Sequence, residues 1–239
     1  MTAPLVTFSN LGRIGQFGNQ LFQYAFLRLL AENMGGTHAC PEWIGQKLFG
    51  LVDPPMPSPF PAEMFEIAGW FQYHTSFYQP HRDKLRKWFT FTTPPFVETR
   101  DIIAIHLRRG DYTASTHGFA FVPPDEWYLD WLNEIWHTYA DPVLYIATDD
   151  LHAAEPFLKF NPVMGLQPDS LAHDFYALTQ AKALAISNST FSFAAAMLNT
   201  QAREFVCPVI DRYPMMGSLQ HFDPWDSEPL LHRDRPAVS

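Results

Sequence analysis

Short apolar runs alternate along the chain with longer stretches whose apolar positions recur at helical spacing, which predicts an α/β architecture. Leu5 to Ser9 reads as a first strand, followed by a Gly-rich turn. Asn19 to Met34 reads as a helix. Leu21, Ala25 and Leu29 fall four apart, with Phe22, Phe26 and Leu30 in the adjacent row, and Gly35-Gly36 supplies the stop. Five prolines between Pro54 and Pro61 exclude an element interior and predict a loop or exposed connection. The stretch from Phe71 to Phe91 carries a basic amphipathic helix around HRDKLRKWF, and Thr92-Thr93-Pro94-Pro95 is the best candidate for a hinge or domain boundary.

Beyond that point four strands each run directly into polar residues. Ile102 to Leu107 meets Arg108-Arg109-Gly110-Asp111, and Val143 to Ala147 meets Thr148-Asp149-Asp150. Ala183 to Ile186 meets Ser187-Asn188-Ser189-Thr190, and Phe205 to Ile210 meets Asp211-Arg212. Helix-like stretches occupy Trp127 to Tyr139, Leu151 to Phe160, Ala172 to Lys182 and Phe191 to Asn199. Ligands of doubly wound sheets bind outside the carboxyl ends of the strands. Here two Arg, paired Asp and a Ser/Asn/Thr cluster converge from three such ends.

Composition narrows the class. With 47% hydrophobic and 17% charged residues over 239 positions, the chain is a folded protein of one large domain or two small ones. The net charge of −9, with no basic run, argues against tracking a nucleic-acid backbone. An anionic ligand would need the few Arg gathered in one place. Two cysteines, Cys40 and Cys207, make neither a disulfide framework nor a zinc site, and read as buried free thiols in a reducing compartment. The N-terminus lacks a signal-peptide pattern and no run approaches a transmembrane length, so a soluble, cytoplasmic protein without a membrane span is expected.

Two adjacent Arg at a strand end cannot both face one side. In HLRRGDY (His106 to Tyr112) one can bind a phosphate and the other brace the loop, against the plainer reading of a salt bridge from Arg108 or Arg109 to Asp111. SNSTFSF (Ser187 to Phe193) opens an apolar helix, and offers either an anion site or ordinary capping by Ser187, Asn188 or Ser189. In ATDD (Ala147 to Asp150) the carboxylates can serve a metal, a ribose or a cap. Neighbours on a strand–helix turn point apart, which favours a cap by one and a ligand or loop contact by the other. Gly12, Gly15 and Gly18 are spaced by three, which fits neither the dinucleotide fingerprint nor a P-loop.

GQFGNQLFQYAF, GWFQYHTSFY, HLRRGDY and SNSTFSFAAAML, in this order, resemble the bacterial α-1,2-fucosyltransferases from about Leu11 to Leu198, and ATDD and the Asp174 segment resemble the wider fucosyltransferase superfamily. The resemblance implies a GT-B-like α/β fold of two Rossmann-like halves facing a cleft. An N-terminal acceptor half, residues 1–95, is reduced, and residues 96–239 hold GDP-fucose. It implies an inverting, metal-independent transfer of L-fucose from GDP-β-L-fucose to a glycan hydroxyl, the galactose 2-OH, with no cofactor. By the same resemblance Arg108 binds the β-phosphate and Ser189, Thr190 and Phe191 contact the diphosphate. His106 and Asp174 meet the guanine, and Arg109 and Asp149 belong to the donor side. Asn19 faces fucose or acceptor as a second catalytic residue, with Gln16, Gly18 and Gln20 on the acceptor side. The catalytic base is left open among Asp111, Asp149 and His106, Asp111 serving otherwise as loop support. The alternatives are a non-catalytic nucleotide-sugar-binding protein of the same fold, or a transferase using another donor. The segment before GWFQYHTSFY is shorter than is usual, and Phe193-Ala194-Ala195-Ala196 replaces a Trp–Gly pattern.

Overall fold

A computed structural model describes residues 3–61, 63–115, 117, 120–164, 170–210 and 217–230. The chain forms two compact units: Met1–Tyr73 with Pro80–Thr93, and His74–Gln79 with Pro94–Ser239.

The first unit is built on β1 (Leu5–Thr7), α1 (Phe17–Asn33), β2 (Thr37–Ala39), α2 (Ile44–Phe49), β3 (Met64–Glu66) and α3 (Arg82–Trp88). Its three strands are parallel in the order β2-β1-β3, with Val6 opposite both His38 and Phe65. α1 begins two residues before the expected Asn19, because Gln16 is already extended and the positive φ of Gly15 has completed the turn. The helix is buried on most faces, glutamines included, so a two-row apolar stripe understates its burial.

The Pro-rich segment after α2 is irregular over 51–61, yet it is pinned at its start. The Asp53 carboxylate is buried and accepts bonds from the Tyr24 hydroxyl at 2.7 Å and Gln46 Nε2 at 2.9 Å, and it lies 2.7 Å from His38 Nε2. Burial opposes ionisation of Asp53, but these three bonds outweigh it and hold the pKa below the usual carboxylate value. The basic amphipathic helix expected around HRDKLRKWF forms as α3. Two short 3₁₀ turns, Thr75–Phe77 and Gln79–His81, precede it, and Pro80 has no N–H to carry an α ladder through.

The second unit contains β4 (Asp101–Leu107), α4 (Gly110–Thr113), α5 (Asp125–Ile135), β5 (Pro142–Thr148), β6 (Val163–Met164), α6 (Ser170–Gln180), β7 (Ala183–Ala185), α7 (Thr190–Leu198), β8 (Glu204–Ile210) and β9 (Gly217–His221). The sheet order is β6-β5-β4-β7-β8-β9, parallel except for the β8–β9 pair. Numbered within the unit this is 3-2-1-4-5-6, the order of the doubly wound dinucleotide-binding sheet. Ile103, Ile105, Leu107, Leu144, Ile146 and Ala185 fill one face against Tyr128 and Leu132 of α5. β4 and β5 are buried along nearly their whole length, as parallel strands covered on both faces require.

The stretch Leu151–Phe160 is helical as expected but winds as 3₁₀ throughout, with Pro156 inside it. α5 starts at Asp125, straight after Pro123-Pro124, and tightens into a 3₁₀ turn over Trp136–Thr138. Asp211 and Arg212, expected at the end of β8, lie outside the described residues. Among the described residues no helix is long and apolar enough to cross a membrane.

Candidate active site

In the second unit the strand order reverses between β4 and β7, so their carboxyl ends flank the crevice where such sheets bind ligands. β4 delivers Arg108 and Arg109 there, β7 delivers Ser187 to Thr190, and neighbouring β5 delivers Asp149.

The two arginines part company. Arg109 turns inward and its Nη2 bonds Asp125 in the first turn of α5, which fastens the loop to the core. Arg108 is held by two carboxylates, with Nη2 2.7 Å from Asp111 Oδ1 and Nη1 2.6 Å from Asp149 Oδ2. Its guanidinium also lies 5.5 Å from the centre of the Tyr112 ring. Asp149 is the hub of this loop. Its Oδ1 accepts the backbone N–H groups of Arg109 at 2.8 Å and Gly110 at 3.2 Å. The carboxylate sits so close to Gly110 that an added Cβ there would lie 2.7 Å from Asp149 Oδ2. Asp150 points the other way and accepts the His152 N–H at 3.0 Å, capping the 3₁₀ helix. Among the described residues no group of three or more His, Cys, Asp or Glu side chains is placed to hold a metal ion.

His106, the last but one residue of β4, is buried with Nδ1 2.8 Å from Ser187 Oγ, so it ties β4 to the loop after β7. Burial, reinforced by the charges of Arg108 and Arg109, depresses its pKa to about 3 and keeps the imidazole neutral. Ser189 caps α7, its Oγ accepting the Phe191 N–H at 3.3 Å. Ser187 to Thr190 are all buried. The Phe191 ring lies 5.3 Å from His106 on one side and 5.3 Å from Phe175 on the other. Asp174, on α6, is buried and its Oδ1 accepts the Tyr145 hydroxyl at 2.9 Å. Beside the Ser187–Asn188 turn a mainly apolar cavity of about 280 Å³ is lined in part by Phe193, Cys207 and Phe222. Burial raises the pKa of the Cys207 thiol, and of the Cys40 thiol in the first unit, to about 12. Both are free, Cys40 buried and Cys207 only partly so.

The first unit builds its own polar turn after β1. Gln20 Nε2 donates to the Gly15 carbonyl at 3.1 Å, Gln23 Nε2 to Ile14 and Gly69 carbonyls at 3.4 Å, and Gln72 Nε2 to Asn19 Oδ1 at 2.6 Å. Gln16 occupies the N-cap position of α1 without a side-chain cap bond, and Gly18 is buried in the first turn. So Asn19 and Gln20 are fixed at this turn. In the second unit Arg108, Arg109, Asp111 and Asp149 are joined by direct contacts, and His106 and Ser187 form a separate pair, with Phe191 packed on His106.

Sequence reasoning passed over Asp125 and Tyr145, which hold Arg109 and Asp174. The signal for Asp125 is a carboxylate directly after Pro123-Pro124, where a helix must start. Tyr145 carries no such mark, since a tyrosine inside an apolar strand reads as core.

The sequence model of glycosyl transferase family 11 matches residues 60–209. That span takes in both arginines, Asp149, Asp174 and the Ser187–Phe191 loop, and leaves out the Gly-rich turn with Asn19. The O-antigen biosynthesis glycosyltransferase WbnK of Escherichia coli is 29% identical over 109 residues, which is 43% of this chain and 36% of that protein. An alpha-1,2-colitosyltransferase of Escherichia coli is 24% identical over 151 residues, 56% of this chain and 51% of that protein. The chain thus spans about half or less of the curated relatives it matches. The solved structure of the iron-containing dodecameric glycosyltransferase TibC from enterotoxigenic E. coli covers 86% of this chain and 57% of its own, at a TM-score of 0.51 and 11% identity. That likeness is one of fold.

Proposed function

This chain belongs to glycosyl transferase family 11, and we propose that it is a GT-B-type inverting fucosyltransferase taking GDP-β-L-fucose as donor. In this reading the second unit holds the donor, the first unit serves the acceptor, and L-fucose passes to a glycan hydroxyl, the galactose 2-OH, without a metal. The observation that carries it is Arg108 at the end of β4, on the switch point, with the capped start of α7 following the neighbouring strand β7.

A leaving diphosphate needs fixed positive charge and N–H donors. Arg108 supplies the guanidinium fork, and the first turn of α7 supplies backbone N–H groups aimed outward from the helix. Arg108 is already neutralised, so the phosphate must replace one of its partners. Asp149 is committed to two loop N–H groups as well, whereas Asp111 sits on the rim with a 62% exposed side chain. Asp111 therefore yields, and Asp149 keeps the guanidinium in place. Arg109, tied to Asp125, stays as the brace. The Asp174 carboxylate offers guanine the acceptor that its N1–H and amino groups need.

A β-linked donor giving an α-fucoside means one in-line displacement. The anomeric carbon–oxygen bond to GDP breaks as the acceptor oxygen bonds, and the acceptor proton needs a base. His106 is poorly suited, being buried with its pKa depressed to about 3. Asp149 has both oxygens engaged. Asp111, released from Arg108 by the phosphate, is the carboxylate that remains. Asn19, held by Gln72, serves fucose or acceptor.

Calorimetry with GDP, UDP and ADP in the presence of EDTA tests the donor. GDP alone is expected to bind, and an acceptor screen with GDP-fucose to yield GDP and fucoside. Arg108→Ala is expected to cut turnover by roughly 100-fold or more, as loss of one oxyanion donor does. Arg108→Lys should not rescue it, since a point charge lacks the planar fork. Unchanged turnover in Arg108→Ala sinks the phosphate role.

A further inference from the structure

The first unit has a switch point of its own, and it is not vacant of chemistry. With strand order β2-β1-β3, the crevice lies between the carboxyl ends of β1 and β3. β1 leads to the Gly-rich turn and Asn19, and β3 leads within four residues to Trp70.

The chain there is bent at a cost. Phe71 has φ 54°, a left-handed conformation that a bulky residue adopts only when its surroundings enforce it, at about 1–3 kcal/mol. The enforcement is visible: the Phe71 ring stacks on Phe26 at 4.1 Å and 5°, and meets Phe8 edge-on at 5.9 Å. With Phe71 anchored inside, Trp70 and Tyr73 stand 51% and 48% exposed. Core packing accounts for the bend at Phe71 but not for an indole left in water, and exposed large aromatics set among polar groups mark contact sites.

Gly15 brings the indole and an amide together. A Cβ at Gly15 would lie 2.4 Å from Asn19 Nδ2 and 2.6 Å from a ring carbon of Trp70, so both groups close over the one residue without a side chain. The Gln72 bond to Asn19 fixes the direction of that amide. Tyr73 in turn packs its ring against Phe26 at 5.8 Å and Phe71 at 6.4 Å, so it too is held from behind.

We infer that Trp70, flanked by the Asn19–Gln72 amide pair, forms a saccharide-stacking platform which receives a neutral sugar ring of the acceptor, with Tyr73, three residues on, as the second exposed ring of the segment. Sugar rings present a C–H face to an aromatic π-face and hydroxyls around their edge to amide donors and acceptors. None of the four platform side chains is charged, which selects a neutral ring over an acidic one. The inference deepens the transferase reading and rests on it for the word acceptor; the binding itself can be measured without turnover.

Saturation-transfer NMR with lactose, cellobiose and N-acetyllactosamine as probes tests it. At least one of these should bind the wild-type chain, with ring protons receiving transfer. Trp70→Ala and Tyr73→Ala should each weaken that binding tenfold or more, while Trp70→Phe keeps part of it. GDP affinity, read by calorimetry on the same samples, should not change. If GDP fails to bind the wild-type chain, the donor reading falls while sugar binding still judges the platform. Should Trp70→Ala not fold, Tyr73→Ala and Trp70→Phe carry the comparison. No binding of any of the three sugars, or undiminished binding after loss of Trp70 or Tyr73, overturns the platform.

Discussion

Arg108 and Arg109 share a side chain and a strand end, yet one meets Asp125 and the other Asp111 and Asp149. The sequence shows that two such neighbours must diverge, but not which goes where, because the choice depends on Asp125 and Asp149, carboxylates supplied by later elements. His106 is a sharper case. The resemblance implies that it meets the guanine, and the structure buries it neutral with Nδ1 against Ser187 Oγ. Its pKa of about 3 lies below the value of about 6.5 expected in the unfolded chain. Between those values the unfolded chain binds a proton that the folded chain refuses, so stability falls as pH drops below 6.5 and levels off near 3. The contribution is about 2 kcal/mol lost between pH 7.5 and pH 5. Urea melts across that range should show this slope, and His106→Gln should flatten it; an unaltered slope in the variant means the histidine is not the group titrating.

The start of α7 shows how capping and ligand binding share one element. Ser189 Oγ accepts the Phe191 N–H, and the helix it starts is buried along nearly all its length. Ser189→Ala should cost about 1 kcal/mol in urea melts. Ser189→Asp restores the cap but sets a carboxylate beside the proposed phosphate, so stability should recover while GDP affinity, read by calorimetry, falls. If GDP binds Ser189→Asp as well as it binds the wild-type chain, the phosphate does not sit at this helix. The elements most legible in the sequence are those with long apolar runs, β4 and β5 above all. β2, β3, β6 and β9 carry no apolar run long enough to mark a strand along the chain.

Over the whole molecule, each unit has its own sheet, parallel but for the β8–β9 pair, and the motifs proposed to hold the donor all fall on the second. GDP at 100 times its Kd stabilises what binds it by about 2.7 kcal/mol. Hydrogen exchange should therefore show GDP slowing amide exchange across β4, β7 and α7, with β1 and α1 unchanged, and EDTA should not alter the result. Equal slowing in β1 and α1 would mean that the nucleotide is not held by the second unit alone. By itself the sequence determined the α/β class, the strand ends that carry chemistry, and the family. Those features are local: apolar runs, turn residues and contiguous motifs lie within reach of a short window. Only the tertiary structure decided the pairing of Arg108 with Asp149, the burial of His106, the anchoring of Asp53 inside a Pro-rich loop, and the meeting of Trp70 with Asn19 over Gly15. Each depends on residues brought together from distant parts of the chain by sheet order and packing, and a reading along the chain cannot supply that distance.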